Sequence, residues 1–230
     1  MDAKKQFLAE MNCLLKENKA EIAIEQMNDS EYCSDKDVLK VLGNAHIRTA
    51  DYDAASQIFS YLATLDIDEE DEKWIAFNVA VMLRLKDETD KAINILRKLL
   101  EKAQTDPSYI CELGNCYFDK KEHDLAEECF HRAIENTNST DKINTASIFS
   151  YSAWFFKETK RIQTAIKLFQ KALSYSPLDK NYLLWLADCH FEISEYEKAK
   201  KIYEKARRYY PNDMMVQDYV VHKLEFLGDT

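Results

Sequence analysis

The sequence predicts an all-α solenoid of antiparallel helix pairs, and three observations carry that prediction. Glycine and proline contribute only 3 residues each to 230, where an ordinary chain holds about 12% of the two together. Sandwiches, barrels and doubly wound sheets need these residues for tight turns. Apolar residues recur at helical spacing, as in Leu183, Leu186, Ala187 and His190, followed after a polar break by Tyr196, Ala199, Tyr203 and Ala206. The whole pattern then repeats at a 34-residue step, which relates Ala165 to Ala199, Phe169 to Tyr203, Ala172 to Ala206 and Pro177 to Pro211.

The elements follow in order. Residues 1–35 read as a degenerate helix pair around Ala23. The first clear copy, 36–72, has Leu39, Leu42, Gly43 and His46 on one helix and Ala55 and Phe59 on the next. The second, 73–106, has Ala76, Val79, Ala80 and Leu83, then Ala92 and Leu96. The third, 107–145, has Ile110, Leu113, Gly114 and Tyr117, then Ala126, Phe130 and Ala133. The fourth, 146–179, has Phe149, Ser152, Ala153 and Phe156, then Ala165, Phe169, Ala172 and Pro177. The fifth, 180–211, ends the series. Small residues such as Ala187 and Ala199 are expected where paired helices cross, because they let the backbones approach. Two steps are longer, 37 residues from Ala55 to Ala92 and 39 from Ala126 to Ala165. The extra residues fall in polar stretches at 66–71 and 136–141 and are expected to lengthen surface loops, which costs little closure entropy. Residues 212–230 read as a capping helix and tail. Val216, Val220, Leu224 and Leu227 form its apolar stripe, and Asp218, His222 and Glu225 a polar one.

These positions resemble the signature of the tetratricopeptide repeat family, W-x-x-L-G-x-x-Y, then A-x-x-x-F, then A and P. The resemblance implies a right-handed superhelical solenoid whose first helices line a concave groove. It also implies a protein-binding role.

Composition narrows the alternatives. With Gly43, Gly114 and Gly228 as the only glycines, neither G-x-G-x-x-G nor a P-loop can be written, so nucleotide sites of those types are excluded. The net charge of −10 opposes nucleic-acid binding. The densest basic cluster, Lys200, Lys201, Lys205, Arg207 and Arg208, reads as a solvated helix face. No stretch is long and apolar enough for a membrane span or a secretory leader. The cysteines, Cys13, Cys33, Cys111, Cys116, Cys129 and Cys189, form no C-x-x-C pair or disulfide framework. A cytoplasmic chain with mostly buried thiols is therefore expected. His46 and His190 fall on core positions, and no His/Cys spacing suits a metal. The acidic run at 66–72 lacks the glycine and ligand alternation of a calcium loop. No catalytic motif and no cofactor site is expected, and the chain reads as non-enzymatic.

The family's inward positions give the expected partner groove. They are Lys40, Asn44 and Arg48 in the first copy, Trp74, Phe77, Val81 and Arg84 in the second, and Cys111, Asn115 and Phe118 in the third. The fourth supplies Trp154 and Lys157, the fifth Leu184, Asp188 and Phe191. Aromatic anchors ringed by polar groups are what protein interfaces use. The expected function is an adaptor, scaffold or co-chaperone that holds a protein or peptide with apolar anchors. The alternatives are a secretion-type chaperone that shields apolar client segments, a self-assembling structural subunit and an enzyme on a helical-repeat scaffold. Lys40, Asn44 and Asn78 match part of the clamp by which some family members grip a chaperone C-terminus, but Ser108 and Glu112 stand where its third-repeat cations belong. The resemblance therefore implies only an incomplete clamp.

Overall fold

The computed structural model describes residues 3–17, 19–138 and 140–226. Leu227 and Gly228 lie outside them. The described residues form thirteen α-helices and no strand. They divide into two compact units, Met1–Lys102 and Ala103–Thr230. The first holds α1 (Ala3–Lys16), α2 (Ala20–Asn28), α3 (Lys36–Arg48), α4 (Tyr52–Leu62), α5 (Glu69–Leu85) and α6 (Thr89–Lys102). The second holds α7 (Pro107–Asp119), α8 (His123–Glu135), α9 (Lys142–Glu158), α10 (Ile162–Tyr175), α11 (Lys180–Glu192), α12 (Tyr196–Tyr209) and α13 (Met214–Phe226).

An aspartate starts the first helix of each of the five pairs from α3 to α12. Asp35, Asp68, Asp106, Asp141 and Asp179 accept backbone N–H bonds at the starts of α3, α5, α7, α9 and α11. Asp213 does the same for α13 through the Val216 amide at 3.2 Å. Such caps satisfy donors that the helix leaves unpaired and place negative charge at the positive end of its dipole.

The turn inside each of these five pairs is also repeated. Ala50, Asp87, Lys121, Lys160 and Ser194 all adopt the left-handed region, with φ between 58° and 63°. A chain this poor in glycine places residues with a Cβ where glycine would be unstrained. Lys121→Gly is therefore expected to stabilise the protein by about 0.5–1 kcal/mol, while a β-branched Lys121→Val destabilises it. Thermal melts of the two variants check this.

Close crossings rest on small side chains. Ala80, Ala153 and Ala187 on first helices, and Ala55, Ala92, Ala126, Ala165 and Ala199 on second helices, are fully buried. At Gly43 the approach is tighter still, since a Cβ there would stand 2.6 Å from Phe59 Cε1.

The polar inserts do not simply lengthen loops. α5 and α9 have 17 residues where α3, α7, α11 and α13 have 13. Each begins one turn early, and α5 takes in Glu69, Glu70 and Asp71 of the acidic run. Acids in a first turn favour helix, so residues expected in a loop became the start of a helix.

Side chains about one repeat apart tie successive pairs. Lys4 reaches Asp35 at 3.0 Å and Asp37 at 3.1 Å. Lys36 and Lys40 both bond the buried Asp71. Those hydrogen bonds hold the Asp71 carboxyl below the usual aspartate range. In the second unit Arg161 bonds Glu127 at 2.5 Å and Lys180 bonds Asp213 at 2.5 Å.

Candidate functional site

On the first unit the expected groove residues serve the fold. Lys40 is committed to Asp71 and lies 5.5 Å from the Trp74 ring centre. Trp74 in turn meets Phe59 edge-on at 6.0 Å. Arg48 Nη1 donates to the Leu15 carbonyl at 2.9 Å and so closes the end of α1. Asn78 Nδ2 donates to the Trp74 carbonyl at 2.8 Å. Asn44, Phe77, Val81 and Arg84 are half-buried. Two of the three residues that match the chaperone clamp are thus engaged inside the chain.

In the second unit the expected set divides. Cys111 and Asn115 are 3% and 8% exposed, which corrects their assignment to an open groove. Asn115 Nδ2 donates to Glu112 Oε2 at 2.8 Å within that buried layer. Phe118 packs edge-on against Phe155 at 5.6 Å. Leu184 and Phe191 pack into the cluster that seats Val216, Val220 and Leu224 of α13, and Phe226 lies 5.4 Å from Phe191. α13 therefore covers them. Asp188 accepts from the Tyr203 hydroxyl and from the Tyr219 hydroxyl at 2.6 Å, and Lys223 approaches it at 3.3 Å. Burial first, and then the Asp188 carboxylate, raise both tyrosine pKa values.

Trp154 differs. It is 37% exposed on α9, a helix with nine buried positions. Its ring lies 5.5 Å from that of Trp185 on α11, and Lys157 Nζ stands 5.1 Å from its centre. Lys157 also pairs with Glu192 at 2.9 Å and Glu158 at 3.5 Å. Burial opposes its charge, but the two carboxylates prevail and leave its pKa above the ordinary lysine value.

Around Trp154 the structure adds rings that the sequence reading passed over. Tyr151 is 51% exposed and Tyr219 38%. Trp185 and Tyr182 are half-buried, with their rings 6.1 Å apart. Tyr151, Trp185 and Tyr219 are separated by 34 and 34 residues, so the repeat step itself was the signal. Tyr151 and Trp154 share a face of α9 by their i, i+3 spacing, as do Trp185 and Asp188 on α11. The Trp154–Trp185 contact and the Tyr219–Asp188 hydrogen bond join these into one stripe across α9, α11 and α13.

Reactive chemistry finds little support. Burial pushes the Cys129 thiol up to about 11 and the Cys189 thiol to about 12, so neither supplies a thiolate near neutrality. Cys111 and Cys116 are buried as well. His190, almost enclosed, bonds Glu195 at 2.6 Å, and His46 Nδ1 lies 3.2 Å from Asp51. Among the described residues no group of three or more His, Cys, Asp or Glu side chains could hold a metal ion. No described helix is long and apolar enough to cross a membrane.

Comparison with known proteins agrees with this architecture. Residues 107–177 and 158–218 match two family models, each described as a tetratricopeptide repeat. A tetratricopeptide-repeat-containing protein of Methanocaldococcus jannaschii is 27% identical over 139 residues, which is 60% of this chain and 22% of that protein. The chain thus matches about a fifth of that relative's length. Among solved structures, BtubC (BKLC) from P. vanneervenii superposes with a TM-score of 0.59 at 14% identity, over 91% of both chains. A crystal structure of MamA gives 0.53 at 16% identity, over 78% of this chain and 94% of that one. At such identities the likeness is one of fold. The chain resembles the tetratricopeptide repeat family, and the matches support a protein–protein interaction scaffold.

Proposed function

We propose that this chain, which resembles the tetratricopeptide repeat family, is a non-enzymatic adaptor or scaffold that holds a peptide or partner segment against the first helices of residues 103–226. Repeats at 36–72, 73–106, 107–145, 146–179 and 180–211 would be its frame. The observation that carries the reading is the exposure of Trp154 beside Trp185. A large ring left in water beside a second one on the next first helix is the kind of anchor that interfaces use, because covering it removes apolar area from solvent. The charges beside it, Lys157 with Glu192 and Lys223 with Asp188, would form a polar rim that sets orientation more than affinity.

The test is affinity capture of a partner from the source cell, followed by titration of that partner with variants. Trp154→Ala is expected to weaken binding about tenfold or more, with unchanged far-ultraviolet dichroism. Unchanged affinity in the Trp154→Ala, Trp185→Ala double variant would retire this face as the binding site.

A further inference from the structure

We propose that the corner where α12 ends and α13 begins docks onto an anionic lipid surface. This goes beyond the interaction reading and uses none of the side chains of that face.

The first observation is where two methionines stand. In the other 13-residue first helices the capping aspartate is followed by Lys36 and Asp37, by Pro107 and Ser108, and by Lys180 and Asn181. α13 follows Asp213 with Met214 and Met215, which are 76% and 70% exposed. The fold asks for nothing apolar there, so packing does not account for them. Tyr209 and Leu178 are exposed as well. The Tyr210 hydroxyl donates to the Leu178 carbonyl, which ties the 176–179 loop to the end of α12. Gln217 Nε2 donates to the Arg207 carbonyl at 3.0 Å and to the Tyr210 carbonyl at 2.8 Å. Those bonds fix the start of α13 to the end of α12, so the apolar side chains project from a braced corner.

The second observation is charge. The chain carries −10, yet the cations of α12 outnumber its acids, Glu197 and Glu204. Lys205, Arg207 and Arg208, in its last two turns, are exposed and form no ion pair among the described residues. Asp213 is bonded to Lys180, and Asp179 caps α11. Glu204 and Asp218 are the remaining acids near the corner. Arg207, Arg208, Pro211 and Gln217, with Glu204, line an open hollow of about 470 Å³. It has room for a headgroup phosphate, an acceptor that suits guanidinium donors.

The third argument is the match to a bilayer rather than to a folded protein. Met214, Met215, Tyr209 and Leu178 stand on a helix start, a helix end and a loop, not along one helix face. A folded partner needs a shaped pocket for each of them. A fluid interface closes round them all, and methionine adapts its rotamers to such surroundings. Methionine and leucine side chains reach the acyl boundary, tyrosine settles at the headgroup level, and Lys and Arg meet the anionic headgroups. The rest of the chain is more acidic still, so repulsion turns this corner toward the surface. The chain would lie on the bilayer and not span it.

Flotation of the full chain with vesicles tests the proposal, using phosphatidylcholine alone and phosphatidylcholine with about 30% phosphatidylserine. Binding is expected to the anionic vesicles only, and is expected to fall as salt rises from about 0.05 to 0.5 M. Peroxide oxidation of Met214 and Met215, read by mass spectrometry, should slow on those vesicles. The Arg207→Gln, Arg208→Gln and Met214→Ser, Met215→Ser double variants should each weaken binding about tenfold or more. All four side chains are exposed, and dichroism confirms that the variants fold. A charge-matched Lys120→Gln, Lys121→Gln variant and Trp154→Ala should bind as wild type does. Absence of flotation with the anionic vesicles at low salt, equal flotation with phosphatidylcholine alone, or wild-type flotation of either double variant overturns the proposal. A captured acidic protein that needs Arg207 and Arg208, with no flotation, would assign the corner to a protein partner instead. Loss of flotation in Trp154→Ala would place the vesicle on the partner face and also overturn it. The interaction reading stands or falls separately, on Trp154 and its captured partner.

Discussion

Replacement of Phe155 by alanine is expected to destabilise the second unit by about 3–5 kcal/mol, the range for removing a buried aromatic ring. Phe155 is fully buried in α9. Its ring lies 5.0 Å from Phe130, 5.2 Å from Phe156 and 5.6 Å from Phe118, and the Arg161 guanidinium carbon stands 5.5 Å from its centre. The cost has two parts, the lost transfer of the ring out of water and the cavity left behind. Collapse of that cavity is limited, because the surrounding rings are carried on α7, α8 and α9, each held by its own buried face. Phe155→Leu refills part of the volume and should cost less than half as much. Urea denaturation followed by dichroism gives both values. Equal midpoints for wild type and Phe155→Ala would mean that the ring does not serve as core.

Much of this architecture was legible because local rules and the repeat agree. The alanines at 55, 92, 126, 165 and 199 had to be small whatever surrounded them, and all five are fully buried. The break at 193–195 between α11 and α12 followed from the two helical apolar periods that end and begin on either side of it. What the sequence concealed depends on contacts between repeats. Cys111 and Asn115 hold inward positions by register, but α9 starts a turn early. Asn144, in that added turn, bonds Ser108 on α7 at 2.9 Å. The added turn therefore lies against α7, the helix that carries both residues. Lys40 and Arg48 looked available because their partners, Asp71 and the Leu15 carbonyl, are about one repeat away in sequence. The stripe of Tyr151, Trp185 and Tyr219 repeats faithfully, but it runs one row beside the positions the family pattern singles out. Following the period of each residue type, rather than the family's positions, would have found it.

The second large effect is expected at Asp188. Asp188→Ala should loosen the docking of α13 by about 2–4 kcal/mol, because it strands several partners at once. The Asp188 side chain is 16% exposed, so solvent replaces little of what is lost. The Tyr203 hydroxyl, on a fully buried residue, loses its acceptor, and the Tyr219 hydroxyl and Lys223 ammonium lose theirs. Both tyrosine hydroxyls and Lys223 converge on one carboxylate, so their losses do not add as independent terms. Asp188→Asn keeps an acceptor oxygen but not the charge and should lie between the two. Hydrogen exchange resolved by segment is the measurement. Faster exchange is expected in α13, with α9 unchanged, since α9 has its own buried face. Unchanged exchange in α13 would mean that Val216, Val220 and Leu224 seat the helix by apolar contact alone. Loss of order in α13 would also displace Tyr219, the last ring of the stripe.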